Sequence, residues 1–414
     1  MKAHVVRLEM ETNHDRNPCG RTAMSLPTPA PCPSHPLIRA EIDLSAIAHN
    51  VRALRRLLNP AVRLLAAVKA NGYGHGAVAV ARTVLANGAT DLGVARVAEG
   101  IALRQAGIRA PILILGYTQP ADAGQLLAYD LVPSVFSVRN ALELSEVAAK
   151  TGLTLPVHIK IDTGMGRLGL PCDGLHSEAH GSTLKSVLQI AAIKHIVVQG
   201  IFTHFAAADH TDVQDAYRQF DRFSLLLAAI ETAGLHIPLR HAANSGAILQ
   251  MPDTHLDMVR AGIAIYGLYP SREVDYRGIQ LRSAMTLKAD IIHLKRVPAG
   301  TGISYGSTYR TTAPTTIATV PVGYADGYRR GLSNKGAMLV DGIRVPIVGR
   351  VCMDLTMIDV GRVPEVNIGD EVVLIGRQKE AVITADEIAA ALDTINYEVV
   401  AGLTDRVTRV FIGG

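Results

Sequence analysis

From Leu37 onward, short apolar runs alternate with longer segments whose apolar residues recur at i, i+3 and i+4. The first pattern belongs to strands buried on both faces, the second to amphipathic helices. Eight runs of strand type follow one another: Leu64–Val68, Leu92–Ala95, Pro111–Leu115, Leu131–Val135, Val157–Ile161, Ile201–His204, Leu239–Ala242 and Met258–Tyr266. Between them Ala77–Asn87, Val97–Ala106, Ala121–Tyr129, Val138–Lys150, Leu184–Ala192, Ala216–Ala233 and the short Ser245–Gln250 read as helices. Gly88, Gly107, Gly152 and Gly234 stand at helix ends, where a left-handed C-cap carries no Cβ penalty. Alternation with right-handed crossovers predicts parallel strands, and eight of them predict an N-terminal (β/α)8 TIM barrel over about 37–275. A doubly wound open sheet is the competing arrangement.

After residue 275 the period changes. Leu287–Arg296, Thr315–Val322, Ala337–Val348, Met357–Val360, Val372–Ile375 and Arg406–Ile412 read as strands punctuated by Gly and Pro, with one helix at Ala385–Leu392. Residues 276–414 are thus expected to form a mostly β C-terminal domain. Thr384 and Glu387 have the spacing of a capping box at the start of that helix. Residues 1–36 carry charges where a secretory leader would be apolar and then turn Pro-rich, which predicts a disordered extension, with an expression artefact or a mis-assigned start as competitors.

Composition narrows the class. The 414 residues exceed one barrel of about 250, so two domains are expected. Hydrophobic residues at 48% and charged residues at 19% are globular proportions. Lys+Arg 41 against Asp+Glu 37 leaves +4, too mild a field to predict nucleic acid or an anionic membrane as partner. No run approaches the roughly 18–20 apolar residues of a spanning helix. The four cysteines lack CxxC or metal-ligand spacing, which fits a reducing cytoplasm.

In a barrel, chemistry gathers at the C-terminal ends of the strands. The first run ends in Lys69, followed by Ala-Asn-Gly-Tyr-Gly-His-Gly; a lysine there is either a reactive amine or salt-bridged to an acid. The fifth run leads into Lys160-Ile161-Asp162-Thr163-Gly164-Met165-Gly166-Arg167-Leu168-Gly169, where glycines around one Arg suit a carboxylate or phosphate, or simply form a loop with a solvated Arg. His204 ends the sixth run, Asn244-Ser245-Gly246 the seventh, and Arg260-Ala261-Gly262-Ile263 lies in the eighth. A Ser hydroxyl and the amides of a Gly turn after strands seven and eight make a phosphate cradle. His204 and His210 have no acid or Cys partner at matching spacing, so no metal is expected. In the second domain Gly302-Ile303-Ser304-Tyr305-Gly306 and Val351-Cys352-Met353-Asp354 are polar islands; Tyr305 is an acid/base phenol or a packing residue.

These blocks, with Thr203-His204-Phe205-Ala206 and His241-Ala242-Ala243-Asn244-Ser245, resemble alanine racemases in family order from about Ile38 to the C-terminus. The resemblance implies the following. Pyridoxal phosphate is held by Lys69 as a Schiff base, with its phosphate on Tyr73, Ser245, the amides of Gly262 and Ile263, and Tyr397. Arg260 faces the pyridine nitrogen, and His204 bridges Arg260 and Tyr305. Lys69 and Tyr305 of the partner subunit serve as the two bases that racemisation requires, one on each face of the α-carbon of L- or D-alanine. Arg167 and the backbone of Met353 bind the substrate carboxylate, and Lys160 matches a position that some members carbamylate. A site completed from the other chain implies a head-to-tail homodimer. D-alanine would then feed peptidoglycan synthesis.

Two departures fall near the C-terminus, where the family commonly carries a cysteine and then Arg-Val-Pro-Arg. This chain has Ala401 and Arg406-Val407-Thr408-Arg409, so local packing changes are expected. Pro171–Lys185 reads as a loose, His- and Ser-rich loop. The competing functions are a broader amino-acid racemase, a decarboxylase or aldolase on the same fold, and a carrier that only binds pyridoxal phosphate.

Overall fold

The computed structural model describes residues 36–173, 178–274, 276 and 278–414. The predicted N-terminal extension, save Pro36, lies outside them. The loose loop does so only at 174–177, since Glu178–Ala191 is helical, six residues ahead of where periodicity starts it.

All eight predicted parallel strands form, and they make a nearly closed barrel. In order these are Arg63–Ala67, Asp91–Val94, Ile112–Ile114, Val132–Val135, Leu155–Asp162, Ile196–Phe202, Leu239–His241 and Met258–Ala261, the first seven each pairing with the next and the eighth with the first. Where the seventh meets the eighth, two backbone bonds bridge the seam: Asp257 N–H to Arg240 O at 3.1 Å and Arg260 N–H to Ala243 O at 2.9 Å. Leu64 and Ala66 belong to the large core that includes the helices, whereas Leu65 packs with Leu113, Val132 and Met258 in a separate cluster. That two-sided burial is why the strands read as unbroken apolar runs. The four predicted capping glycines all have positive φ, at 111°, 84°, 69° and 84°.

The β domain departs from expectation at its edges. Ile38–Asp43, which its position groups with the barrel, hydrogen-bonds instead into the second domain's sheet, antiparallel to Met285–Asp290 and parallel to Thr408–Ile412. Arg39 ties it there through Asp290 at 3.2 Å and Glu371 at 2.8 Å. Asp43 then caps the helix Leu44–Arg55 by accepting from Ala46 N–H. The single predicted strand 287–296 is two strands of different sheets, Met285–Asp290 and His293–Val297, because the backbone turns a corner at Ile291 and Ile292. Ala385–Leu392 is helical as predicted, but only half of the capping box forms: Thr384 accepts from Glu387 N–H, while the Glu387 carboxylate pairs with Arg344. No helix among the described residues is long and apolar enough to cross a membrane.

At the barrel end opposite the candidate chemistry, Arg104 is buried and donates to four loop carbonyls, those of Ile108, Ala110, Tyr129 and Asp130. A guanidinium is needed because only its fork offers enough donors in one plane. Arg104→Leu leaves those acceptors unpaired, and we expect a loss of about 3 kcal/mol in urea unfolding. An unchanged midpoint would mean that water replaces the arginine.

Candidate active site

Lys69 follows the first barrel strand and opens a turn of unusual hand. Ala70, Asn71, Gly72, Tyr73 and Gly74 all have positive φ, between 51° and 83°. Three of these are L-residues, each strained by roughly 1–2 kcal/mol, so the surroundings must hold the turn. Ala70 N–H donates to Glu99 Oε1 at 2.6 Å, Asn71 Oδ1 accepts from Ala77 N–H, His75 Nδ1 meets Tyr73 O at 2.9 Å, and Arg409 Nε donates to Gly74 O at 3.0 Å. The turn places Lys69 at one end and Tyr73 at the other, with the ammonium 6.0 Å from the phenol ring centroid. Desolvation, and secondarily the charge of Arg167, push the Lys69 amine below its usual range.

Asp162 organises the loop that carries Arg167. Its carboxylate accepts from the amides of Gly164, Met165, Gly166 and Arg167 at 2.8–3.1 Å, which holds its pKa low. Gly164 and Gly166 adopt positive φ to aim those amides at one point. Lys160, buried in the fifth strand, lies 5.1 Å from the Phe202 ring centroid; desolvation and the charges of Arg260, Arg167 and Lys69 drive it to about 7.

Arg260 is 5% exposed. Its Nη2 donates to Thr203 O and Ala242 O and meets His204 Nδ1 at 3.2 Å, while Nη1 meets His241 Nδ1 at 2.9 Å. Burial, with Arg167 nearby, lowers it to about 9, so it stays a cation at neutral pH. A guanidinium only donates, so His241 must present a lone pair at Nδ1 and carry its proton at Nε2; His204 Nδ1 at most shares an Nη2 hydrogen with a carbonyl, a contact that likewise suits a lone pair there. Burial and the surrounding cations hold both imidazoles well below their usual range.

Opposite lies the cradle. Ser245 Oγ accepts from Gly262 N–H at 2.8 Å, and Ile263 opens the 3-10 turn Ile263–Tyr266. A Cβ on Gly262 would stand 2.9 Å from Tyr73 Oη and 3.7 Å from Ser245 Oγ, so only glycine leaves this hollow open. Tyr397 packs 6.2 Å from Tyr73, centroid to centroid. Burial raises both phenols, Tyr73 to about 12, and keeps them as O–H donors. Lys69, Tyr73, Lys160, Arg167, His204, Ser245, Arg260, Gly262, Ile263 and Tyr397 together line one cavity of about 460 Å³.

Tyr305 and Met353 do not line it. Both sit exposed on the β domain, at 70% and 53%, in adjoining loops bridged by Ser304 Oγ, which donates to Arg350 O and lies 3.4 Å from Cys352 Sγ. Among the described residues no three His, Cys, Asp or Glu side chains gather as a metal site. Sequence reasoning missed Glu99 and assigned no role to Asp162, His158, His241 or the carbonyls of Thr203 and Ala242 that hold Arg260; His204 it did place beside Arg260. The Asx-like Asp162-Thr163-Gly164 start was a readable signal for the loop; the others had none.

A parallel barrel whose mouth gathers Lys69, Lys160, Arg167 and Arg260 around one cavity with a glycine-floored cradle, joined to a β domain, defines a two-domain barrel class of enzyme. The alanine racemase N-terminal domain model matches residues 42–270 and the C-terminal domain model residues 284–411. The alanine racemase of Desulfosudis oleivorans is 53% identical over 379 residues, covering 91% of this chain and 96% of that protein. That of Desulforamulus reducens is 48% identical over 376 residues, with 91% and 99% covered. Alanine racemase of Bacillus anthracis, solved with bound L-Ala-P, superposes with a TM-score of 0.86 at 38% identity, covering 92% and 97%; that of Clostridium difficile 630 gives 0.86 at 39%. The chain belongs to the alanine racemase family, and its activity class is isomerase.

His75, His158 and His241 are buried, with His75 held down to about 4 and His158 to about 3 by desolvation. Below pH about 6.5 the unfolded chain binds protons there that the native state refuses, so stability falls as pH drops toward 4. Each contributes a slope of up to about 1.4 kcal/mol per pH unit in that window. Urea midpoints measured at about pH 7 and about pH 5 should separate, and His75→Gln should narrow the gap; an equal gap in the variant would remove His75 from the account.

Proposed function

We propose that the protein interconverts L-alanine and D-alanine with pyridoxal phosphate, using Lys69 on one face of the α-carbon and Tyr305 of the partner subunit on the other. The observation that carries this reading is the single cavity in which Lys69 and Arg260 line the same space as the glycine-floored cradle. The residues fit the cofactor. Tyr73, Ser245, Tyr397 and the amides of Gly262 and Ile263 would hold its phosphate, the Gly262 N–H turning to it from Ser245 Oγ, which accepts that hydrogen here; buried phenols that stay protonated, a hydroxyl and backbone amides are donors for an anion. When bound, it supplies an electron sink for the charge that develops on the α-carbon.

Lys69 would hold the group through its amine, and the same nitrogen is suited to take and return a proton because desolvation favours its neutral form. Arg260 would face the ring nitrogen as a permanent donor, with no proton to give at neutral pH. Arg167, set by the Asp162-bound loop, would orient the substrate carboxylate together with the backbone of Met353 of the partner subunit. His204, protonated at Nε2, would offer that hydrogen to the phenol of Tyr305 of the partner subunit. The exposure of Tyr305, Met353, Tyr324 and Leu355 supports their burial against a second copy, in a head-to-tail homodimer. We place the enzyme in the cytoplasm, supplying D-alanine for peptidoglycan.

Tyr305→Phe should lower racemisation by on the order of 10²–10⁴-fold with pyridoxal phosphate still bound. The assay is chirality of a panel of L- and D-amino acids; full turnover in the variant removes the second base, and release of CO₂ or aldehyde with retained chirality would replace the racemase by a decarboxylase or aldolase. Gly262→Ala should weaken pyridoxal phosphate binding by about tenfold or more in equilibrium titration, since the methyl fills the hollow. Unaltered affinity would move the phosphate elsewhere.

A further inference from the structure

Beneath the cavity, a line of hydrogen bonds runs from Arg260 into the barrel interior and ends on a residue to which neither binding nor proton transfer is assigned. Arg260 Nη1 bonds His241 Nδ1 at 2.9 Å, and His241 Nε2 bonds His158 Nδ1 at 2.9 Å. The guanidinium has no acceptor, so His241 takes its proton at Nε2; His241 therefore donates to His158, whose Nδ1 must be a lone pair. The direction of the whole chain is thus assigned from one end. The interior is shaped around it: a Cβ on Gly200 would lie 2.6 Å from the His158 ring, and Phe202 stacks on His241 at 4.7 Å and 5°. The charged groups acting on the two rings are Arg63, Lys160 and Arg260, all cations, which disfavour a second proton on either.

Arg260 Nη2 has both hydrogens on the carbonyls of Thr203 and Ala242, with His204 as a longer shared contact, but among the described residues Nη1 has only His241. We propose that His158 is a positioning residue for Arg260: by accepting from His241 it locks the tautomer that lets His241 hold Nη1, and so fixes which edge of the guanidinium faces the cavity. Without that acceptor His241 is free to carry its proton at Nδ1, and two donors would then face each other where the 2.9 Å bond now stands. The guanidinium would swing about its Nη2 anchors.

This inference rests on the reading of Arg260 as the partner of the cofactor ring, and the experiment separates the two. Nitrogen-15 spectra of histidine-labelled holoenzyme should show His241 unprotonated at Nδ1 and protonated at Nε2, without change from about pH 8 to about pH 5. His158→Leu should shift His241 toward the Nδ1 proton, alter the absorption spectrum of the bound pyridoxal phosphate and lower kcat about tenfold with KM little changed. His158→Asn, whose Oδ1 stands on Cγ as Nδ1 does and can accept, should restore all three. A wild-type His241 protonated at Nδ1 overturns the proposal even if the leucine variant does not fold, as does a folded leucine variant with unchanged tautomer and kcat. A wild-type enzyme with the expected tautomer that fails to interconvert alanine overturns the functional reading instead.

Discussion

Everything in this molecule answers to the gathering of four cations, Lys69, Lys160, Arg167 and Arg260, around one cavity in the mouth of a barrel. Ammonium and guanidinium groups taken out of water are costly unless paired or neutralised. Here the pairing within the chain is sparse. Glu99 and Asp162 are the anions that act on the two lysines, and both carboxylates are committed to backbone amides. Lys160 responds by titrating near neutrality, Lys69 by shifting toward its free amine. The remaining positive potential is a standing demand for anions, which under the proposed function a phosphate at one end and a carboxylate at the other would satisfy.

The same constraint explains the neutral hydrogen-bonding partners of Arg260. A carboxylate there would compensate its charge and leave less for a ligand; backbone carbonyls and imidazole lone pairs orient it without doing so. Because those imidazoles are buried among cations, they stay neutral and act as fixed acceptors. Rigidity at the lysine comes from a different source. The left-handed turn Ala70–Gly74 is strained, and its hold comes from distant parts of the chain: Glu99 from the barrel, and Arg409 from the last strand of the β domain. A Cβ on Gly74 would meet Val400 O at 2.2 Å, so the helix Asn396–Ala401 closes on the turn and brings Tyr397 toward Tyr73. The Arg406-Val407-Thr408-Arg409 stretch, which departs from the family pattern at Thr408, keeps the arginine that does this.

Local periodicity determined much of this protein. Strand runs, helical spacing and capping glycines are properties of neighbouring residues, and barrel geometry then dictates that Lys69, Arg167, Ser245 and Gly262 converge at the strand ends. What tertiary structure alone decided depends on pairing across long separations, for which no local period exists. Ile38–Asp43 looks like any strand, and only its ladder with residues near 287 and 410 assigns it to the far sheet. The helix bearing Tyr397 is too short to register as periodic, and the tautomer of His241 follows from a guanidinium on another strand. The sequence by itself could name the chemical groups, because composition and spacing carry identity; it could not say which way a proton points or which sheet completes a turn, because those are set by atoms brought into contact only when the chain has folded.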